Sequence, residues 1–285
     1  MPEGDAVWRT ARRLHRSLVG EPLAGADLRV PALATRDLAG RGTLEVIPRG
    51  KHLLHRLEGG ITLHSHLRMD GSWRVLTMPT ERPVMRHPAV RQHTVRAVLW
   101  TASSLAVGDS LGMLDIVETP QEALVVGHLG PDLLDPGFDR ELALVNLTRD
   151  PHVPVAVALL DQRNLAGIGT IYASEPLFEH RVSPWAPVSA VSPDLLGQVV
   201  DTARLWMVRS ARIGPRPATR LLSRPPEDGW LPGTYRVFGR RGRPCRRCGT
   251  AVMEAPIGRQ PRARTISFCP ICQPLPASGN QWLPG

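Results

Sequence analysis

Four cysteines, a proline at position 2 and a solitary lysine are the residues of this chain whose types and spacing point to chemistry. The cysteines fall in "CRRC" at 245–248 and "CPIC" at 269–272, with twenty residues between the pairs. Two C-x2-C knuckles at that spacing can bring Cys245, Cys248, Cys269 and Cys272 to one tetrahedral point, the donor set of one structural Zn2+. Four thiolates leave no position open for reaction, so the metal's role is to hold together a segment with little core of its own. Two disulfides are the other use of four cysteines, and they suit an oxidising compartment.

Pro2 follows the initiator methionine. With Met1 removed it carries a secondary amine that titrates near pH 8. Such an amine can attack an aldehyde-like carbon and form an iminium, which is covalent catalysis. Glu3, beside it, is a candidate acid or base. Both residues are also favoured at the start of a helix, so a purely structural reading stays open.

Lys51, in "PRGKHLLHRL" at 48–57, is the only lysine among 35 cationic side chains. Arginine grips phosphate at least as well and keeps its proton, whereas an ammonium is a point donor whose pKa moves with its surroundings. A proton-transfer role for Lys51 fits that difference, and chance retention is the alternative. In "LLDQRNLAGIGTIYASEPLF" (159–178), Gly167 and Gly169 allow a tight turn before a helix whose free N–H groups suit a phosphate. An ordinary helical hairpin would need the same glycines. Met69, in "HSHLRMDGSW" at 64–73, is a flexible apolar side chain in a polar loop. It suits a wedge in a base stack, or a residue tucked onto the domain. His64 and His66 alternate with apolar residues and read as strand surface or hydrogen-bonding groups.

Positioning these groups requires elements whose signals are local. Val7, Ala11, Leu14 and Leu18 repeat on one face and predict a helix over 5–18. From about 25 to 127, short alternating runs ("LEVIPRG", "HLLHRL", "ITLHSHL", "SWRVL", "TVRAVLW") predict antiparallel strands of a sandwich or barrel. From about 139, "DRELALVNL", "VPVAVALLDQ", "TIYASEPLFEH" and "SPDLLGQVVDTARLWMVRSA" predict helices. The expected organisation is an N-terminal domain over 1–135, a helical domain with its linker over 136–234, a zinc module over 235–273 and a flexible tail over 274–285. The fold class is α+β multidomain.

The net charge is +9, and residues 236–264 hold nine arginines against one acid, Glu254. Such a module is the footprint of a polyanionic partner, most often nucleic acid, although a solvated basic surface has the same composition. The longest apolar run, "VPVAVALL", is too short to span a bilayer, and "MPEGDAVWR" lacks the basic start of a signal peptide. A soluble, intracellular, monomeric protein with no membrane partner is the expectation.

"MPEGD", "GKHLL", "DQRNLAGIGTIYASEPLF" and "RTISFCPICQ" together resemble the formamidopyrimidine-DNA glycosylase and endonuclease VIII family, from residue 2 to about 273. The resemblance implies an N-terminal β-sandwich with a leading helix, a helix–two-turns–helix domain and a four-cysteine zinc finger. It implies Pro2 as the Schiff-base nucleophile, Glu3 as the acid assisting sugar-ring opening, and Lys51 as a phosphate contact and proton donor. Arg264, five residues before Cys269, matches the family's zinc-finger arginine that grips phosphate near the lesion. Where the family has asparagine after the second glycine of its helical turn, this chain has Thr170, and Asn164 lies off that motif position. The region "SLGMLDIVE" lacks the Arg-Phe pair of the formamidopyrimidine branch, which places the chain nearer endonuclease VIII.

These matches imply a bifunctional DNA glycosylase and AP lyase of base excision repair in a bacterial cytoplasm, associated with the nucleoid. Its partner is damaged DNA, as duplex, single strand or bubble, and its substrates are oxidised bases, pyrimidines above all. Strand scission is by β,δ-elimination. Arg68 and Met69 would fill the space left by the extruded nucleotide, and Gly167, Gly169, Thr170 and Asn164 would lie against the DNA. A non-catalytic or lyase-only member of the same family is the alternative. An N-terminal-nucleophile amidohydrolase is disfavoured, since those enzymes use Ser, Thr or Cys at that position.

Overall fold

A computed structural model describes residues 2–79, 83–214, 228–261 and 263–274. All but the first residue of the expected tail, and most of the expected linker, lie outside the described residues. The chain divides into two compact units, Met1–His128 and Leu129–Gly285. Among the described residues, no helix is long and apolar enough to cross a membrane.

The first unit opens with α1 (Gly4–Leu18). Its Val7, Ala11, Leu14 and Leu18 are each 2% exposed or less, as their spacing predicts. Eight strands follow: β1 (Gly25–Leu28), β2 (Thr43–Arg49), β3 (His52–Leu57), β4 (Ile61–His66), β5 (Ser72–Thr77), β6 (Val95–Trp100), β7 (Ser104–Asp109) and β8 (Met113–Glu118). They form two four-stranded antiparallel sheets, ordered β1-β6-β7-β5 and β2-β3-β4-β8. The α1 stripe joins Val46, Leu53, Leu57, Leu63 and Leu114 of one sheet and Trp73, Ala97, Leu99 and Ala106 of the other in one core. Successive strand residues point to opposite faces. The alternate set on the β2-β3-β4-β8 sheet (His52, Arg56, Thr62, His64, His66 and Asp115) therefore lies on the face turned away from that core.

A short helix, α2 (Ala123–Val126), follows β8. Glu122, just before it, accepts two bonds from the Arg56 guanidinium, at 2.8 and 2.6 Å, and one from the Thr62 hydroxyl at 2.7 Å. This ties the segment after β8 to the polar face of the sheet. Arg56 and Thr62 hold the Glu122 carboxyl below the usual carboxylate range against the opposing effect of burial.

The second unit contains α3 (Arg140–Thr148), α4 (Val155–Leu160), α5 (Thr170–Glu179) and α6 (Pro193–Ile213), then a hairpin of β9 (Met253–Ile257) and β10 (Arg264–Phe268). Asp139 caps α3 by accepting from Leu142 N at 2.9 Å, and Ser192 caps α6 ahead of Pro193. Ala255, Ile257, Ile266 and Phe268 of the hairpin share one core with Tyr172, Leu177, Val200 and Trp206 of the helices. The hairpin is thus packed on helices and does not depend on its thiolates alone.

Candidate nucleic-acid interface and thiolate centre

In the first unit, half-buried Pro2 leads directly into α1. Glu3 is the N-cap residue, 2% exposed, and its carbonyl accepts from Ala6 N at 3.0 Å and Val7 N at 3.1 Å. A carboxylate at a helix N-terminus is stabilised by the helix dipole. Lys51 is the second residue of a two-residue turn between β2 and β3, where Arg49 pairs with His52. Gly50 precedes it at φ 57°, the positive angle that the first central position of a type II′ hairpin turn requires. The glycine sets the turn and the lysine sits at its tip.

The β4–β5 loop holds Arg68 and Met69. Met69 is 58% exposed and so is not tucked onto the sandwich. Arg68 adopts φ 51°, and its N–H donates to His66 Nδ1 at 2.8 Å. Its side chain runs across Gly112, where an added Cβ would stand 2.3 Å from Arg68 Cδ. The β7–β8 connection is only residues 110–112, so the missing Arg-Phe pair is accompanied by a short turn. Lys51 and Arg68 are brought together around His66, and both charges disfavour its protonation. Burial is the larger cause, and the His66 pKa falls to about 4.

In the second unit, the turn before α5 is closed by Gln162. Its Nε2 donates to Leu160 O and Ile168 O at 3.1 and 2.9 Å, and its Oε1 accepts from Gly167 N at 3.1 Å. Gly167 has φ 93°, Gly169 is the N-cap of α5 and Thr170 its first residue. Asn164 donates from Nδ2 to Ala158 O at 3.0 Å, which ties the turn back to α4.

The four sulfurs lie within 4.8 Å of one another, with Cys248–Cys269 at 3.4 Å and Cys245–Cys272 at 4.0 Å. All four cysteines are free, and a tetrahedral site with metal–sulfur bonds of about 2.3 Å has edges of about 3.8 Å. Backbone N–H groups of Arg247 and Cys272 point at Cys245 Sγ and Cys269 Sγ, so each knuckle turns its amides onto a sulfur. The donor set fits a zinc ion. Arg264 is exposed at the start of β10, and the strand's last residue, Phe268, adjoins Cys269. Part of the basic charge is used internally: Arg236 pairs with Glu179, and Arg247 lies 4.4 Å over the Phe178 ring.

Sequence reading missed two groups here, Glu175 and Gln162. Glu175 is fully buried, and its carboxylate accepts from the backbone N–H groups of Arg236, Val237 and Phe238 at 2.8–3.1 Å. Gln162 lies within "DQRN", where no local pattern marks an amide that closes a turn. His64, read from its alternation as strand surface or a hydrogen-bonding group, is 0% exposed and shares a hydrogen bond with His52, so the second reading holds. A carboxylate inside an apolar helical run was the one available signal for Glu175; its partners are some sixty residues away.

A helix-led antiparallel sandwich, a glycine turn at the head of a buried helix and a four-thiolate hairpin define a multidomain α+β protein of the helix–two-turns–helix class. Residues 1–110 match the family model of the formamidopyrimidine-DNA glycosylase N-terminal domain, and residues 129–216 match that of the formamidopyrimidine-DNA glycosylase H2TH domain. The chain is 48% identical to "Probable endonuclease 8 2" of Streptomyces coelicolor, over 97% of this chain and 95% of that one. It is 40% identical to "DNA-(apurinic or apyrimidinic site) lyase Nei2" of Mycolicibacterium smegmatis, over 96% and 99%. A crystal structure of Lactococcus lactis Fpg (MutM) in complex with N7-benzyl-Fapy-dG-containing DNA shares the fold, with a TM-score of 0.76, 22% identity and coverage of 96% of this chain and 100% of that one. The chain belongs to the formamidopyrimidine-DNA glycosylase and endonuclease VIII family, on the endonuclease VIII side.

Proposed function

We propose that this chain is a bifunctional DNA glycosylase and AP lyase that removes oxidised bases, pyrimidines above all, from damaged DNA. The observation that carries the reading is 48% identity along nearly the whole chain to a relative named as an endonuclease 8. The protein acts as an intracellular monomer.

An amine can reach C1′ only after the nucleotide leaves the stack. Exposed Met69, with Arg68, occupies the space it vacates. With Met1 removed, the Pro2 nitrogen attacks C1′ as the glycosidic bond breaks, and the base leaves with the bonding pair and takes up a proton. Glu3 assists opening of the sugar ring, and an iminium joins Pro2 to C1′. Loss of a C2′ proton expels the 3′ phosphate, and a second elimination expels the 5′ phosphate. Lys51 contacts phosphate and supplies a proton during base release. The α5 N-terminus at Thr170, with Gly167, Gly169 and Asn164 shaping the turn, and Arg264 on β10 hold the backbone. Cys245, Cys248, Cys269 and Cys272 hold Zn2+, which supplies cohesion only.

Borohydride trapping on DNA carrying an abasic site tests the amine chemistry. A covalent adduct is expected, and it disappears when residues retained ahead of Pro2 turn its nitrogen into an amide. Full trapping by such an extended protein would place the nucleophile elsewhere. A second reading, lyase activity alone, is favoured by the name of the M. smegmatis relative. Cleavage of a ready-made abasic site, with no excision across a panel of oxidised bases in duplex, bubble and single-stranded DNA, would establish it instead.

A further inference from the structure

Four histidines meet on the outer face of the β2-β3-β4-β8 sheet. His52 stacks on His64 with ring centroids 5.0 Å apart, and meets His66 edge-on at 4.8 Å and His128 edge-on at 6.1 Å. His52 Nδ1 and His64 Nε2 are 2.8 Å apart, a hydrogen bond between two imidazoles. His64 is completely buried, and its Nδ1 has no hydrogen bond of ordinary geometry. That nitrogen has Asp115 Oδ2 as its ion-pair neighbour at 3.5 Å, because the antiparallel register sets Asp115 of β8 directly opposite His64 of β4. The Asp115 side chain is 52% exposed, so the line runs from the solvent edge of the sheet to the residue that follows Lys51.

Burial is the main cause that keeps both rings of this pair uncharged at neutral pH. It takes His52 down to about 3, with the charges of His66, His64, His128 and Lys51 adding, and it lowers His64 although Asp115 pulls the other way. The groups facing the pair are Lys51, His66 and His128 around His52, Arg68 beyond His66, and Asp115 beside His64. Two neutral imidazoles sharing one hydrogen bond need one N–H and one lone pair between them, and the outer partner decides which ring supplies which. A carboxylate beside His64 Nδ1 favours the proton there. His64 Nε2 is then bare, His52 Nδ1 must donate to it, and His52 Nε2 is left as a lone pair on the ring edge away from His64.

We propose that Asp115, His64 and His52 form a chain of positioning residues for Lys51, in which the carboxylate fixes both tautomers and so makes the outer edge of His52 an acceptor. The functional half rests on the reading of Lys51 as a phosphate contact and proton donor. An acceptor edge within electrostatic reach of the ammonium favours its protonated form, whereas the other tautomer would present an N–H to a cation. The same logic orients metal-bound histidines through an outer carboxylate. Here the oriented group is an ammonium.

Nitrogen-15 spectra of the histidine side chains in the DNA-free protein at pH 7 test the chain of tautomers. Neutral Nδ1–H forms are expected for both His52 and His64, with His52 moving toward Nε2–H in Asp115→Ala. His52 already in the Nε2–H form, or unchanged tautomers in Asp115→Ala, overturns the proposal. Asp115→Leu, which also removes the acceptor, provides the same comparison should the alanine protein not fold. Single-turnover cleavage of oxidised-base DNA against pH tests the consequence. Asp115→Ala should be slower by about tenfold at saturating DNA. Its alkaline limb should move to lower pH, and Asp115→Glu should recover both rate and limb. An alkaline limb that stays in place while the rate falls would reduce Asp115 to a structural role and overturn the proposal. Absence of cleavage by the unmodified protein would refute the enzymatic reading alone, and the nitrogen spectra would still decide the tautomers.

Discussion

Lys51 carries a prediction that belongs to a single side chain. Its turn is set by Gly50, so replacing the lysine should leave the hairpin intact. Arginine would keep the proposed phosphate contact but would not readily give up a proton. Lys51→Arg should therefore bind abasic-site DNA within a few-fold of the original while excising an oxidised base about 10²-fold more slowly. Single-turnover rates on both substrates check this, and equal slowing on the two would remove the proton role. Glu175 carries a second. Burial pushes its carboxyl up, and three backbone N–H groups oppose that. Glu175→Ala strands those donors and should destabilise the protein by about 3 kcal/mol or more, with Glu175→Gln costing less. Urea unfolding of the full chain measures both, and an alanine variant within about 0.5 kcal/mol would mean that other acceptors reach the donors.

At the scale of elements, the turn into α5 and the thiolate hairpin each depend on a local constraint. Gly167 at φ 93° has a backbone conformation that a Cβ resists, and Gln162 locks the turn through that same glycine. Gly167→Ala should cost about 1–2 kcal/mol and weaken DNA binding by displacing the α5 N-terminus. Calorimetry and a binding titration would show the two effects together. In the hairpin, Cys248 is the exposed member of the sulfur cluster, and β10 runs from Arg264 to the cysteine pair. Cys248→Ser should lose the one zinc proposed per chain and lower DNA affinity, because a metal bound there would hold the end of the strand that carries Arg264. Elemental analysis of well-folded protein without zinc would sink this.

The molecule as a whole should be acid-labile well before its carboxylates titrate. His55 is buried against Thr43 with a pKa taken down to about 4, and His52 and His66 are lowered to about 3 and about 4, in each case chiefly by burial. Histidines that stay neutral in the fold take up protons more readily when it opens, so the unfolded chain binds more protons between the ordinary histidine range and the folded pKa. Stability is complete above about pH 6.5 and falls as the pH drops toward 4, with His55 alone contributing up to about 3 kcal/mol. The depressed Glu122 carboxyl, paired with Arg56, adds a further loss at lower pH. The melting temperature should decline steeply between pH 6.5 and 4, and His55→Gln should flatten that decline. A flat profile for the unmodified protein would show that these rings are not held neutral.

Local periodicity and spacing by themselves determined α1, the alternating strands, the helices α3 to α6 and the two C-x2-C knuckles. Each depends only on residues a few positions apart, whose geometry the chain itself imposes. Tertiary structure decided the rest, because it joins residues that no short-range pattern relates. Two readings of His64 were open from its alternation with apolar neighbours. Pairing of β4 with β8 settled them by burying the ring and setting Asp115 opposite it. Glu175 looks out of place in an apolar helix until residues 236–238 turn their amides onto it. The sheet orders β2-β3-β4-β8 and β1-β6-β7-β5 were likewise not legible. Alternation tells a strand which side to bury, but pairing and register are settled by long-range packing and by where buried polar groups find partners.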